Sequence, residues 1–137
     1  MIRDAEDFFL SHVEAVTPDG KYLGAHADGG TQERESGYDK ATLKDEVFIN
    51  LPATNQQTAD FYAFLRLHIG TPYDFQSILG FVMREDMHTK GHAICSALIV
   101  LALRSCGWFP YRLAEPAHKI DPRDLFLILS ARVNIDG

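Results

Sequence analysis

Cysteine is scarce in this chain. Only Cys95 and Cys106 occur in 137 residues, too few for the disulfide framework of a small secreted domain. If both lie on one helix, they stand ~16 Å apart at ~1.5 Å rise per residue, beyond bridging range. Both are expected to be free thiols, with Cys106 a small buried hydrophobe ahead of the helix-ending Gly107. Basic charge is also short: 13 Lys and Arg stand against 19 Asp and Glu, a net charge of −6. That balance argues against general nucleic-acid binding, which needs a basic face. No run reaches the ~18 apolar residues of a membrane span. Met1-Ile2-Arg3-Asp4-Ala5-Glu6-Asp7 lacks the basic-then-apolar form of a signal peptide. The expectation is a cytoplasmic protein as synthesised, without a membrane span. Repeats, linkers and low-complexity stretches are missing too, so 1–137 reads as one domain able to bury its own core.

What is present reads as α+β. Residues Phe8 to Val16 alternate as a strand, with Leu10, His12, Glu14 and Val16 on one face. Pro18-Asp19-Gly20 is a turn signal: proline presets φ, aspartate tolerates the second position, and glycine takes the left-handed third. Strands are expected at Lys21–Ala27, Thr31–Glu35 and Glu46–Leu51. A helix capped by Thr54 or Asn55 should run to about His68. A short helix is expected from Phe75 to about Met83, and Arg84 to Gly91 is polar and loop-like. An apolar helix beginning near Cys95 should form the buried centre. Asp121-Pro122-Arg123-Asp124 is a helix start.

Cys95 is then expected in a first helical turn. There the macrodipole and unpaired N–H groups favour thiolate, the nucleophilic form. Thiol catalysis also needs an imidazole to hold the proton and a polar group to fix that imidazole. With a three-residue hairpin loop, paired positions sum to 38, so His12 faces His26 across the strands. A two-residue loop would turn His26 to the opposite face. Glu14, two residues from His12 on the same face, is the alternative orienting group, although i and i+2 strand residues rarely bond well. His88, His92 and Cys95 are a weak zinc pattern, because Gly91 and the polar composition suggest a loop. No metal or cofactor is expected.

Several motifs resemble those of the NlpC-type papain-like cysteine peptidases and amidases. Cys95-Ser96-Ala97-Leu98-Ile99 is similar to their Cys-Ser-Gly/Glu-Leu-Val helix start. Gly70-Thr71-Pro72-Tyr73 resembles the Gly-x-Pro-Tyr before the cysteine. Ser11-His12-Val13-Glu14 and Leu23-Gly24-Ala25-His26-Ala27 resemble the histidine strand and the next strand. Ile120-Asp121-Pro122-Arg123-Asp124-Leu125 resembles a closing Ile-x-Pro-x-Asp-Leu. Histidine precedes cysteine here, the order of the circularly permuted, YiiX-like branch related to lecithin–retinol acyltransferases. The resemblance implies a permuted papain-like fold. It implies Cys95 as nucleophile, His12 as base, and Tyr73 near the oxyanion. His26 is the third residue if His26-Ala27 matches the usual His-Ala. If Gly24-Ala25 aligns with the Glu-Ala of the permuted branch, that match is lost. The departures are Ile94 before Cys95, where the cell-wall enzymes have aspartate, and no Gly-Gly after Tyr73. The implied activity is amide hydrolysis on a peptide or small amide, with peptidoglycan stem peptides the implied cell-wall substrate. Lipid amides or esters, and a non-catalytic module on the same scaffold, are the alternatives.

Overall fold

The computed structural model describes residues 2–4, 12–26, 30–38, 45–69, 87–109 and 120–132. Its strands are β1 (Ile2–Asp4), β2 (His12–Val13), β3 (Ala15–Val16), β4 (Tyr22–His26), β5 (Gly30–Arg34) and β6 (Asp45–Val47). Its helices are α1 (Asn55–Leu67), α2 (Met87–Ser105) and α3 (Pro122–Arg132). The architecture is α+β. Two antiparallel three-stranded sheets have the orders β2-β1-β6 and β3-β4-β5. Among the described residues no helix is long and apolar enough to cross a membrane. The proposed helix at 75–83 and Tyr73 lie outside the described residues.

One stretch of chain serves both sheets. His12 pairs with Arg3 in the first sheet, and Ala15 pairs with Leu23 in the second. Glu14 is the residue between the two ladders. The hairpin has the three-residue loop: Thr17 N donates to Lys21 O at 2.8 Å and Gly20 takes φ 84°. Ala15 opposite Leu23 and Val16 opposite Tyr22 keep the sum of 38. Glu14 therefore falls opposite Gly24. A Cβ on Gly24 would stand 2.9 Å from Glu14 Cγ, so only glycine leaves room for that side chain.

Helix α2 forms the core. Cys95 to Val100, Ala102 and Leu103 are all buried, and they pack with Val13, Ala15, Leu23 and Ala25 of the sheet and with Leu65, Leu125 and Leu129 of the other helices. Apolar residues all round the helix are what a central position demands. Its end is sharp. Gly107 at φ 72° lets Gly107 N reach Arg104 O at 3.1 Å and Trp108 N reach Leu103 O at 3.0 Å. That pattern satisfies the last carbonyls with a left-handed glycine. Trp108 then donates from Nε1 to Pro52 O at 2.9 Å, tying the helix exit to the segment ahead of α1.

Two helix starts match their sequence signals. Thr54 and Gln57 form a reciprocal capping box on α1. Asp121 Oδ1 accepts from Asp124 N at 2.8 Å, with Pro122 first in α3. The start of α2 does not match. The loop expected over Arg84–Gly91 is corrected: the helix already begins at Met87 and passes through Gly91. Glycine costs only ~1 kcal/mol inside a helix, and the buried run that follows outweighs it. Cys95 is thus the ninth residue of α2, not a first-turn residue.

Gly24→Ala should force Glu14 aside and cost about 1–3 kcal/mol, as overpacking does. A urea-denaturation midpoint unchanged from the parent would contradict the close approach of the two strands.

Candidate active site

The hairpin register and the switch between sheets bring His12, Glu14 and His26 together. The rings of His12 and His26 lie 4.7 Å apart between centroids, tilted by 39°. The Glu14 carboxylate sits against both. Its Oε1 is 2.7 Å from His26 Nε2 and 3.4 Å from His12 Nε2. The Glu14 side chain is fully buried, that of His26 is 9% exposed and that of His12 is 20% exposed. Tyr38 Oη donates to the other oxygen, Glu14 Oε2, at 3.2 Å. The Tyr38 ring also stands edge-on to His26 at 5.7 Å, and Arg34 lies 4.9 Å above its centroid.

Cys95 completes the group. Its side chain is buried and lies beside the His12 ring, close enough to act on that ring's charge. Among the described residues, His12 Nε2 faces Glu14 and makes no hydrogen bond in good geometry. The order in space is Cys95, His12, Glu14, with His26 and Tyr38 behind the carboxylate.

The electrostatics follow from this order. Burial alone would lower the His12 pKa, but Cys95 and Glu14 outweigh it and raise it to about 9. His12 is therefore an imidazolium at neutral pH. Burial pushes Glu14 up, yet the two histidines beside it hold it well below the usual carboxylate range. Burial holds His26 below its ordinary value despite Glu14, and the His12 charge adds to that. One carboxylate thus carries one charged and one neutral imidazole.

The structure brings together three sequence-predicted residues, Cys95, His12 and His26. Tyr73 lies outside the described residues. Two expectations change. The group facing His12 Nε2 is Glu14, not His26; the usual i, i+2 objection fails because Glu14 lies outside both ladders, free of the regular pleat. The helix-start account of Cys95 is also corrected. Only the first four N–H groups of a helix lack an intrahelical partner, so the ninth residue offers no spare donor for an oxyanion. Any activation of the sulfur comes from His12. Tyr38 was not legible beforehand. It follows a turn, and nothing local points to Glu14.

A second feature lies nearby. A cavity of about 440 Å³ is bounded by Val16, Phe61, Tyr62, Ile99, Leu103 and Trp108, among others. Glu14 lines it, whereas Cys95, His12 and His26 do not. Cys106 does line it. Burial raises the pKa of that thiol, and its Sγ contacts Leu103 O at 3.3 Å.

Comparison with protein-family models, with curated proteins and with solved structures gave no match.

The raised His12 pKa makes a signed prediction. Its folded value of about 9 exceeds its ordinary 6.5. The resulting stability is complete below pH 6.5 and is lost as pH rises through about 9. Ring-proton NMR should show His12 protonated at neutral pH, and Cys95→Ala should lower its midpoint. A His12 midpoint at or below its ordinary value would refute the charge arrangement.

Proposed function

We propose that the chain is a thiol hydrolase, a cysteine peptidase or amidase on a circularly permuted papain-like fold. Cys95 is the nucleophile, His12 the base, and Glu14 the group that orients His12. His26 and Tyr38 hold Glu14. The observation that carries this reading is the line of contacts from the buried sulfur through one imidazole to one buried carboxylate. Nucleophilic thiol catalysis needs those three roles in that order.

The chemistry balances within the group. The Cys95 thiolate attacks the amide carbon, forming the C–S bond. The tetrahedral intermediate then expels the amine, which takes the His12 proton as the C–N bond breaks. Neutral His12 next accepts a proton from water as its oxygen attacks the thioester. Collapse releases the carboxylic acid and restores the thiolate–imidazolium pair. Glu14 stays ionised throughout and keeps the imidazole aligned. Small amides and peptides are the substrate class, with peptidoglycan stem peptides supported by the motif resemblance.

On a cleaved amide, Cys95→Ala and His12→Ala should each abolish turnover, since nucleophile and base act as one unit. Glu14→Gln should lower kcat by about 10²–10⁴-fold, because an amide orients the ring but does not hold its charge. His26→Ala should cost less. In the intact protein, iodoacetamide should modify Cys95 faster than Cys106 at mildly acidic pH, although Cys95 is the more buried. Equal, slow modification of both thiols would defeat the proposal.

A further inference from the structure

The histidine–glutamate–histidine group has a second capacity that thiol chemistry does not use. We propose that His12, Glu14 and His26 bind one divalent cation of the zinc class, and that the bound ion switches off the adjacent thiol. The switching half rests on the hydrolase reading above; the binding half does not.

The donors are already gathered. One ligand atom from each of the three residues lies within 4.8 Å of the others. A tetrahedral ion with bonds of roughly 2.0–2.2 Å sets its ligand atoms about 3.4 Å apart. Glu14 Oε1 and His12 Nε2 stand at 3.4 Å now. Glu14 Oε1 and His26 Nε2, at 2.7 Å, need to open by about 0.7 Å. Among the described residues, Nε2 of His12 and Nε2 of His26 are buried without a hydrogen bond in good geometry, and each faces the carboxylate.

The surroundings suit the role. Metal-bound carboxylates are themselves hydrogen-bonded in working sites, and Tyr38 Oη donates to Glu14 Oε2. The same ring packs edge-on against His26 and fixes its plane. Two imidazoles and one carboxylate suit zinc, cobalt or nickel better than magnesium or calcium, which prefer all-oxygen cages. The set is a three-ligand one, and it leaves Cys95 outside.

The consequence for the thiol is a matter of protons. Binding at His12 Nε2 displaces one proton to solvent. The remaining proton sits on Nδ1, so neither ring nitrogen is free. A ring in that state can neither accept a proton from water nor release one to a leaving amine. The ion thus removes the base while leaving the nucleophile in place.

The test uses intact protein carrying Cys95→Ala and Cys106→Ala, so that no thiol can hold the metal. Calorimetric titration with zinc chloride should give one ion per chain. Adding His26→Gln or Glu14→Gln should weaken binding by at least about 100-fold, and Tyr38→Phe by about tenfold. Circular dichroism confirms which variants are folded. Should Glu14→Gln unfold, the His26→Gln and Tyr38→Phe results decide. Cobalt chloride should give visible ligand-field bands with no thiolate charge-transfer band. Loss of binding on removing the thiols, or binding indifferent to His26→Gln, would overturn the site. In the parent protein, zinc should slow turnover of a cleaved amide over the concentration range of the titration. Binding without that slowing would overturn the switch alone. Failure of the hydrolase reading shows separately, as equal alkylation of the two thiols in metal-free protein.

Discussion

A carboxylate buried between two imidazoles is the constraint on which the rest of this structure turns. Glu14 has no exposed side-chain surface. An ionised carboxylate costs several kcal/mol to bury unless partners replace its water. Here the partners are His12, His26 and the Tyr38 hydroxyl, drawn from β2, the end of β4 and the turn after β5. The same demand explains why the chain switches sheets at Glu14 and why glycine stands opposite it at Gly24. Two antiparallel ladders meet at the point where neither can pair, and the carboxylate fills it.

Charge then passes outward from Glu14. The carboxylate and the sulfur keep His12 protonated against the pull of burial, while the second imidazole stays below its ordinary pKa. Helix α2 contributes placement rather than activation. Its buried face fixes Cys95 in the core beside His12, but the ninth position of a helix is too far from the N-terminus for the dipole to matter. The thiol therefore depends on its neighbours in the sheet. That dependence also makes the site sensitive to anything that occupies the His12 nitrogens.

Much of this was legible in the sequence, for reasons that can be named. Pro18-Asp19-Gly20 allowed a three-residue or a two-residue loop, and the chain adopts the three-residue form, whose register brings His26 to His12. Thr54, and Asp121 ahead of Pro122, mark helix starts because their side-chain oxygens accept from first-turn N–H groups. The start of α2 was hidden because Gly91 and its polar neighbours look like a loop locally, and tertiary burial of the following residues overrode that preference. Glu14 was legible only as the alternative to His26, because its role depends on leaving the pleat, which alternation cannot signal. Tyr38 reaches Glu14 from a distant turn, with no local pattern to announce it. Strand β1 pairs with both β2 and β6, a long-range arrangement that Ile2-Arg3-Asp4 does not declare.

The central claim is that His26 acts on the thiol only through Glu14. A double-mutant cycle on the rate of Cys95 carbamidomethylation tests it most directly, using Glu14→Gln, His26→Ala and the pair together. If the claim holds, the double variant reacts no more slowly than Glu14→Gln alone, because His26 has lost the group it works through. If the two effects instead multiply, His26 influences the His12–Cys95 pair by a route of its own, and the carboxylate is not the hub of the site.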